Sequence, residues 1–240
     1  MVKLGNFLFA HRNVIFPLFF IVLVFGTSPV GEGPIHEGWR YALGFAVTLA
    51  GQVVRALTIG LAYIIRGGRK RKVYADTLVK DGVFAHCRNP MYLGNILIVI
   101  GLGIVAHSVL FYVVGIPLFI FLYVAIIKAE EHYLANKFGE EYAEYCRTVP
   151  SLVPNLSGIR ETMKGMTFKW RRLIVKEYGT TYTWMVCMMA LVMKNQYLQQ
   201  DPRIGRTATL IGILFIAVTS LYGTAWFLKK SRRLTAEEEM

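Results

Sequence analysis

Apolar stretches of near-membrane length, separated by charged or turn-rich segments, constrain this chain more than any other feature. A bilayer crossing takes about 20 apolar residues, and on that yardstick spans fall at about residues 7–25, 39–65, 92–106, 109–128, 182–193 and 207–228. The fifth is the weakest. Lipid obliges each span to satisfy its own backbone hydrogen bonds, so an all-α, polytopic membrane helix bundle is predicted. Composition agrees: 55% of the residues are hydrophobic and 18% charged, and the mean hydropathy is +0.44, above what a soluble domain carries. Only His107 and Ser108 separate the third and fourth spans, which predicts a tight helical hairpin. The third span is short enough to stop below the far headgroups.

The net charge of +12 raises the question of nucleic acid, but the basic residues sit between the apolar spans. There they act as topology signals and contacts for anionic lipid, which argues against a nucleic-acid partner. Arg66, Arg69, Lys70, Arg71 and Lys72 follow the second span, and Lys229, Lys230, Arg232 and Arg233 follow the sixth. The loop at residues 27–38 carries Glu32 and Glu37 and no Lys or Arg. Both termini are therefore predicted on the cytoplasmic side, together with residues 66–91 and 129–180. Lys3, His11 and Arg12 ahead of an apolar run resemble a signal peptide, but no small-residue cleavage site follows Phe25 and further spans come after it, so a retained first helix is expected. Cys87, Cys146 and Cys187 are far apart and form no CxxC or Cys/His cluster, so neither a disulfide framework nor a metal site is expected.

Two polar clusters flank the hairpin. The first is Arg88-Asn89-Pro90-Met91-Tyr92-Leu93-Gly94, preceded by the turn signal Lys80-Asp81-Gly82. Pro90 suits the first turn of a helix and places Asn89 near the N-cap. That turn is either simply a capped helix start or, through its exposed N–H groups, a site for a carboxylate or phosphate. The second cluster is Glu130-Glu131 at the end of the fourth span. The helix is expected to continue to Gly139 and leave the acids one turn above the membrane, either solvated or turned inward to hold a cationic or hydroxyl-rich ligand. Phe138, Tyr142 and Tyr145 recur at helical spacing and are expected to pack a lid helix that Pro150 and Pro154 terminate. The basic, aromatic stretch at residues 157–178 reads as an interfacial helix or a solvated connector. Arg55, an ionisable residue deep in the second span, either pairs within the bundle or meets an acceptor's phosphate or carboxylate.

These residues carry a family resemblance. Thr77-Leu78-Val79, Gly82-Val83-Phe84, the Arg88 to Gly94 run, the hairpin, Glu130-Glu131, Phe138-Gly139 with Tyr142 and Tyr145, and Val149-Pro150 with Pro154 follow one another in order. In that order the chain resembles the integral-membrane isoprenylcysteine carboxyl methyltransferases and phosphatidylethanolamine N-methyltransferases over about residues 69–155. The resemblance implies S-adenosylmethionine as methyl donor. It also implies a cofactor site lined by Thr77, Leu78, Val79, Phe84, Asn89, Pro90, Met91, Tyr92 and Glu130. Beside it, Arg88 and Glu131 are candidate catalytic groups and Arg55, from its place in the second span, a candidate for the acceptor. The resemblance divides the chain into N-terminal transmembrane helices (1–68), a catalytic region with the hairpin (69–156), and an interfacial segment with C-terminal transmembrane helices (157–240). The glycine-rich dinucleotide fingerprint is absent, since Gly101-Leu102-Gly103 lies inside an apolar span with no strand before it.

The departures concern the acceptor. The isoprenylcysteine enzymes usually carry His at the position of Asn89 and Arg at that of Ile126, while Arg69 and Asp76 stand where the family commonly has Gln and His. Methyl transfer is an in-line displacement at an activated carbon, so the protein mainly aligns donor and acceptor and excludes water. The acceptor, a lipid or other lipophilic small molecule, is expected to arrive from the bilayer between the second span and the hairpin. A membrane reductase of the sterol type and a non-catalytic membrane scaffold are the rival readings.

Overall fold

The computed structural model describes residues 1–30, 37–61, 66–69, 72–75, 77–231 and 233–234. Asp76, the loop with Glu32, the last residues of the expected second span (62–65), and Lys70, Arg71 and Arg232 lie outside the described residues. The architecture is the expected helix bundle: α1 (Val2–Gly26), α2 (Glu37–Leu61), α3 (Pro90–Ala106), α4 (Ile116–Phe138), α5 (Glu140–Thr148), α6 (Ile159–Lys164), α7 (Trp170–Leu198) and α8 (Ile204–Lys230). A short antiparallel ladder, β1 (Arg66–Arg69) with β2 (Lys72–Ala75), follows α2, pairing Arg66 with Ala75 and Arg69 with Lys72. Val2–Gly26, Gly38–Leu61, Phe111–Phe138 and Ile204–Lys230 are long and apolar enough to cross a membrane, and Pro90–Ala106 is a shorter apolar helix.

The hairpin forms as its sequence requires. His107 adopts a left-handed conformation (φ 46°) and returns its N–H to Gly103 O at 3.1 Å, ending α3. A π-helical turn at Phe111–Gly115 then leads into α4. Such a widened turn accommodates Pro117, which has no N–H to give the preceding turn. At the other end Gly139 (φ 54°) closes α4, and α5 begins at once.

α2 and α3 touch backbone to backbone. Gly44 and Gly51 face Gly101 and Gly94, both pairs seven residues apart. A Cβ on Gly51 would lie 2.5 Å from Gly94 O, and one on Gly44 2.7 Å from Gly101 O. Small residues at matched spacing allow this approach, which in lipid gains dispersion contacts that bulkier side chains would block. α1 packs antiparallel on α4, Gly5 against Ala125 and Ala129, and Phe16 against Tyr123 and Phe119.

α7 revises two expectations. The predicted fifth span, residues 182–193, is the middle of a 29-residue helix that begins at Trp170. The last part of the basic stretch read as an interfacial helix or connector, residues 170–178, is thus its first turns, preceded by the short α6. Several polar and charged groups of α7 are received by other helices, while Arg171 and Lys176 are exposed. Arg172 donates to Gly60 O at 3.0 Å, Glu177 binds Arg55, Lys194 donates to the carbonyls of Val24 and Thr27, and Asn195 donates to Val105 O at 2.7 Å. These partners lie toward the C-terminal end of α2 and at the opposite end of the bundle, where α1 and α3 finish, so α7 runs the full height of the bundle. α8 packs on α7 through Tyr222, whose ring stands 4.5 Å from that of Tyr182. Lys229 reaches Val175 O at 3.2 Å, which brings the C-terminal end of α8 to the same end of the bundle as the start of α1.

Candidate functional site

The two polar clusters meet at that end. Tyr92, in the first turn of α3, donates its hydroxyl to Glu130 Oε1 at 2.7 Å, and Arg88 Nη2 lies 3.0 Å from Glu131 Oε1. Pro90 starts α3 and the carbonyl of Asn89 accepts the N–H groups of Tyr92 and Leu93, both at 3.1 Å. The Asn89 side chain makes no cap. Its Nδ2 donates to Glu131 Oε1 at 3.3 Å and Ser151 Oγ at 3.1 Å, a charge-assisted contact that orients the amide, and Oδ1, the atom a cap would use, bonds no N–H of the first turn. The expectation of several exposed N–H groups is likewise narrowed. Arg88 and Asn89 give theirs to Pro150 O and Ser151 O, and in the first turn only Met91 N–H has no acceptor among the described residues.

Arg88 is a clamp. Its Nη1 donates to Cys146 O at 3.0 Å and Val149 O at 2.6 Å, tying the start of α3 to the end of α5. Burial draws its pKa down, but the bonded Glu131 carboxylate outweighs that and the net direction is upward, so the guanidinium is permanently charged. Its Nε–H is buried without a partner. Glu131 also accepts from Ser151 Oγ at 2.9 Å and Lys128 at 3.4 Å. α5 closes the back of the site, with Tyr142 and Tyr145 buried against Ala75, Leu134 and Val149, and Tyr145 donating to Phe84 O at 2.7 Å. The predicted lid is therefore packed as expected.

A cavity of about 380 Å³ opens in front of these groups, a size suited to a small-molecule ligand. Of the residues singled out from the sequence, Arg55, Phe84, Arg88, Asn89, Pro90, Met91, Tyr92 and Glu130 line it. Thr77, Leu78 and Val79 are not among its walls; Leu78 packs instead on the Tyr142–Tyr145 cluster behind it. Glu131 also stands behind the wall and acts through Arg88 and Asn89. Arg55 is paired within the bundle: its Nε lies 2.8 Å from Glu177 Oε2, its Nη2 2.5 Å from Glu177 Oε1, and its Nη1 2.5 Å from Asn95 Oδ1. The pair is 9% and 4% exposed.

Apart from Arg55, sequence reasoning missed the walls contributed from outside residues 69–155. α1 supplies Phe9, Arg12, Asn13 and Phe16, and α7 supplies Thr180. Asn95 and Tyr123 inside that region were also missed. The available signal was the pair Arg12-Asn13 interrupting an otherwise apolar run. Arg12, Asn13, Phe16, Asn95, Tyr123 and Thr180 also line a second cavity of about 590 Å³, which continues along Pro17, Phe20, Phe119, Trp184, Cys187 and Tyr222. A polar chamber thus runs into an apolar groove between α1, α3, α4, α7 and α8. The passage expected between the second span and the hairpin is shut where α2 and α3 touch, and the groove lies on the other side of α3.

A chamber with polar walls at one end of a membrane helix bundle, joined to an apolar groove, marks an integral-membrane helical protein with room for a small-molecule ligand. The phospholipid methyltransferase family model matches residues 39–141. The cobalt-zinc-cadmium resistance protein CzcN of Cupriavidus metallidurans is 32% identical over 158 residues, covering 64% of this chain and 68% of that protein. The nickel-cobalt-cadmium resistance protein NccN of Alcaligenes xylosoxydans xylosoxydans is 29% identical over 159 residues, covering 65% and 71%. The protein-S-isoprenylcysteine O-methyltransferase of Schizosaccharomyces pombe is 32% identical over 146 residues, covering 58% of this chain and 55% of that enzyme. No solved structure matches. The chain belongs to the integral-membrane phospholipid and isoprenylcysteine methyltransferase family, and is a membrane methyltransferase.

Proposed function

We propose that the chain transfers a methyl group from S-adenosylmethionine, bound in the chamber, to a lipophilic acceptor lying in the groove. The observation that carries this reading is the convergence of the Tyr92–Glu130 pair with unspent donors at the start of α3. Glu130, 6% exposed, is a carboxylate on the chamber wall suited to an ammonium or ribose hydroxyls. The unpartnered Nε–H of Arg88 and the free Met91 N–H suit the methionyl carboxylate, and Phe84 and Tyr92 offer aromatic faces to adenine or the sulfonium. When bound, S-adenosylmethionine would supply a sulfonium-activated methyl carbon for in-line transfer to the acceptor's nitrogen, oxygen or sulfur, with S-adenosylhomocysteine as the leaving group. Around that chemistry, Arg88, Asn89, Glu131 and Ser151 fix the start of α3 against α4, while α5 and the apolar walls keep water out.

On the same reading the Arg88 end of the bundle and both termini face the cytoplasm, supported by Lys229 and Lys230 ending α8. The catalytic region at residues 69–156 draws its remaining walls from α1, α2 and α7. Calorimetric titration of the detergent-solubilised protein with S-adenosylhomocysteine tests the assignment. Glu130→Gln should weaken binding about tenfold or more, as expected for a buried charge-assisted contact. Unchanged affinity removes Glu130 from the site. No binding to the unaltered chain, with stabilisation by reduced NADP instead, removes the methyl-donor reading altogether.

A further inference from the structure

The junction between chamber and groove gathers donors with few acceptors. Arg12, half-buried on α1, makes one long bond to Phe9 O at 3.4 Å and stands 4.0 Å over the Phe9 ring. No carboxylate pairs with it among the described residues. This sets it apart from the other two chamber arginines, since Arg55 is neutralised by Glu177 and Arg88 by Glu131. Around it, Asn95 has its carbonyl oxygen occupied by Arg55 and its amide hydrogens unspent. Asn13 and the buried Tyr123 have side chains without a hydrogen-bond partner among the described residues. α4 contributes only Tyr123 and Ile126 at this level, so nothing on that helix answers the charge of Arg12. Glu130 lies seven residues further along α4, about 10 Å at helical rise. The combined cavity therefore has an acidic pole at Glu130 and a basic pole at Arg12, with the apolar groove beginning at the basic one.

We propose that Arg12, with Asn13, Asn95 and Tyr123, recognises the acceptor by its negatively charged oxygens, so the acceptor is an anionic amphiphile with its chain in the groove. This rests on the groove being the acceptor's place. An unpaired guanidinium facing a low-dielectric groove is stabilised by a carboxylate or phosphate that arrives with its own apolar tail, and a neutral amphiphile leaves it without a counter-charge. Either anion satisfies the geometry, a carboxylate that itself takes the methyl group or a phosphate beside the accepting atom.

The test uses the full chain in dodecyl maltoside, loaded with S-adenosylhomocysteine and titrated calorimetrically with N-acetyl-S-farnesylcysteine, dodecyl phosphate and farnesol. At least one anionic ligand should bind about tenfold or more tightly than farnesol, and the tighter of the two identifies the headgroup chemistry. Arg12→Gln should weaken that anion about ten- to hundredfold, Arg12→Lys should retain most of the affinity, and Arg12→Gln should weaken S-adenosylhomocysteine clearly less than the anion. The proposal is overturned if farnesol matches both anions, if Arg12→Gln leaves the anion unaffected, or if it weakens S-adenosylhomocysteine as much as the acceptor, which would assign Arg12 to the donor. Failure of the unaltered chain to bind S-adenosylhomocysteine is a separate result that overturns the donor assignment; the ligand comparison is then read on the unloaded protein.

Discussion

Replacing Glu177 by Leu strands a buried charge, and the structure sets the size of the effect. Arg55 makes two of its bonds to that carboxylate, at 2.8 and 2.5 Å, and retains only Asn95 and a 3.3 Å contact with Thr180 when it is gone. Gln52 loses its acceptor at 3.2 Å as well. Breaking a buried pair from one side costs about 3–5 kcal/mol, because the remaining ion keeps its desolvation penalty without the attraction that offset it. For a chain of this length that corresponds to a fall of about 6–20 °C in the unfolding midpoint. The double replacement Arg55→Met with Glu177→Leu removes the penalty together with the attraction, and should recover most of the loss. Thermal unfolding in detergent, followed by circular dichroism as a double-mutant cycle, measures both. If Glu177→Leu shifts the midpoint by less than a degree or two, or the double variant is no better than the single one, the pair does not hold α7 against α2 in the way described.

The remaining expectations are simpler. Gly101→Ala should destabilise by about 1–3 kcal/mol, since its Cβ would meet Thr48 Oγ1 and lie 2.5 Å from Gly44 O; Gly212→Ala on α8, where nothing lies within 4 Å, should be neutral in the same thermal assay. Burial raises the pKa of the Cys87 thiol above its usual value, outweighing the opposing Asn89 N–H and Arg88 charge. The reactive thiolate is thus scarcer at neutral pH than for an ordinary cysteine, and maleimide at pH 7.5 should label the half-buried Cys146 before Cys87, with Cys87 reacting only on unfolding or as pH rises well past its ordinary titration range. Mass spectrometry of the labelled peptides reads the order.

How much was legible depended on whether the determining partners were local. The hairpin could be read because His107-Ser108 and the flanking apolar runs are adjacent, and the end of α4 because Gly139 is a local stop signal. The meeting of Tyr92 with Glu130 followed from placing two short motifs at one end of that hairpin. α7 was shortened because its charges are offset by partners more than a hundred residues away, such as Arg55 and Glu177; hydropathy along the chain sees the charges and not their partners. An arginine inside an apolar span does demand a counter-ion, and that demand was the legible trace of Glu177. The role of Asn89 was misread for a similar reason. Its position predicts a cap, but Glu131 and Ser151, distant in sequence, orient its amide by accepting from Nδ2, and Oδ1 bonds no N–H of the first turn.

The first helix lies ahead of the stretch matched by the family model, yet it forms one wall of both cavities. If donor chemistry resides in the hairpin and its flanks while the selecting residues sit on α1, the two properties are separable by inheritance. A chimera carrying a relative's opening segment on this hairpin would then change what is methylated without changing how, and diversification of such proteins would concentrate near the amino terminus.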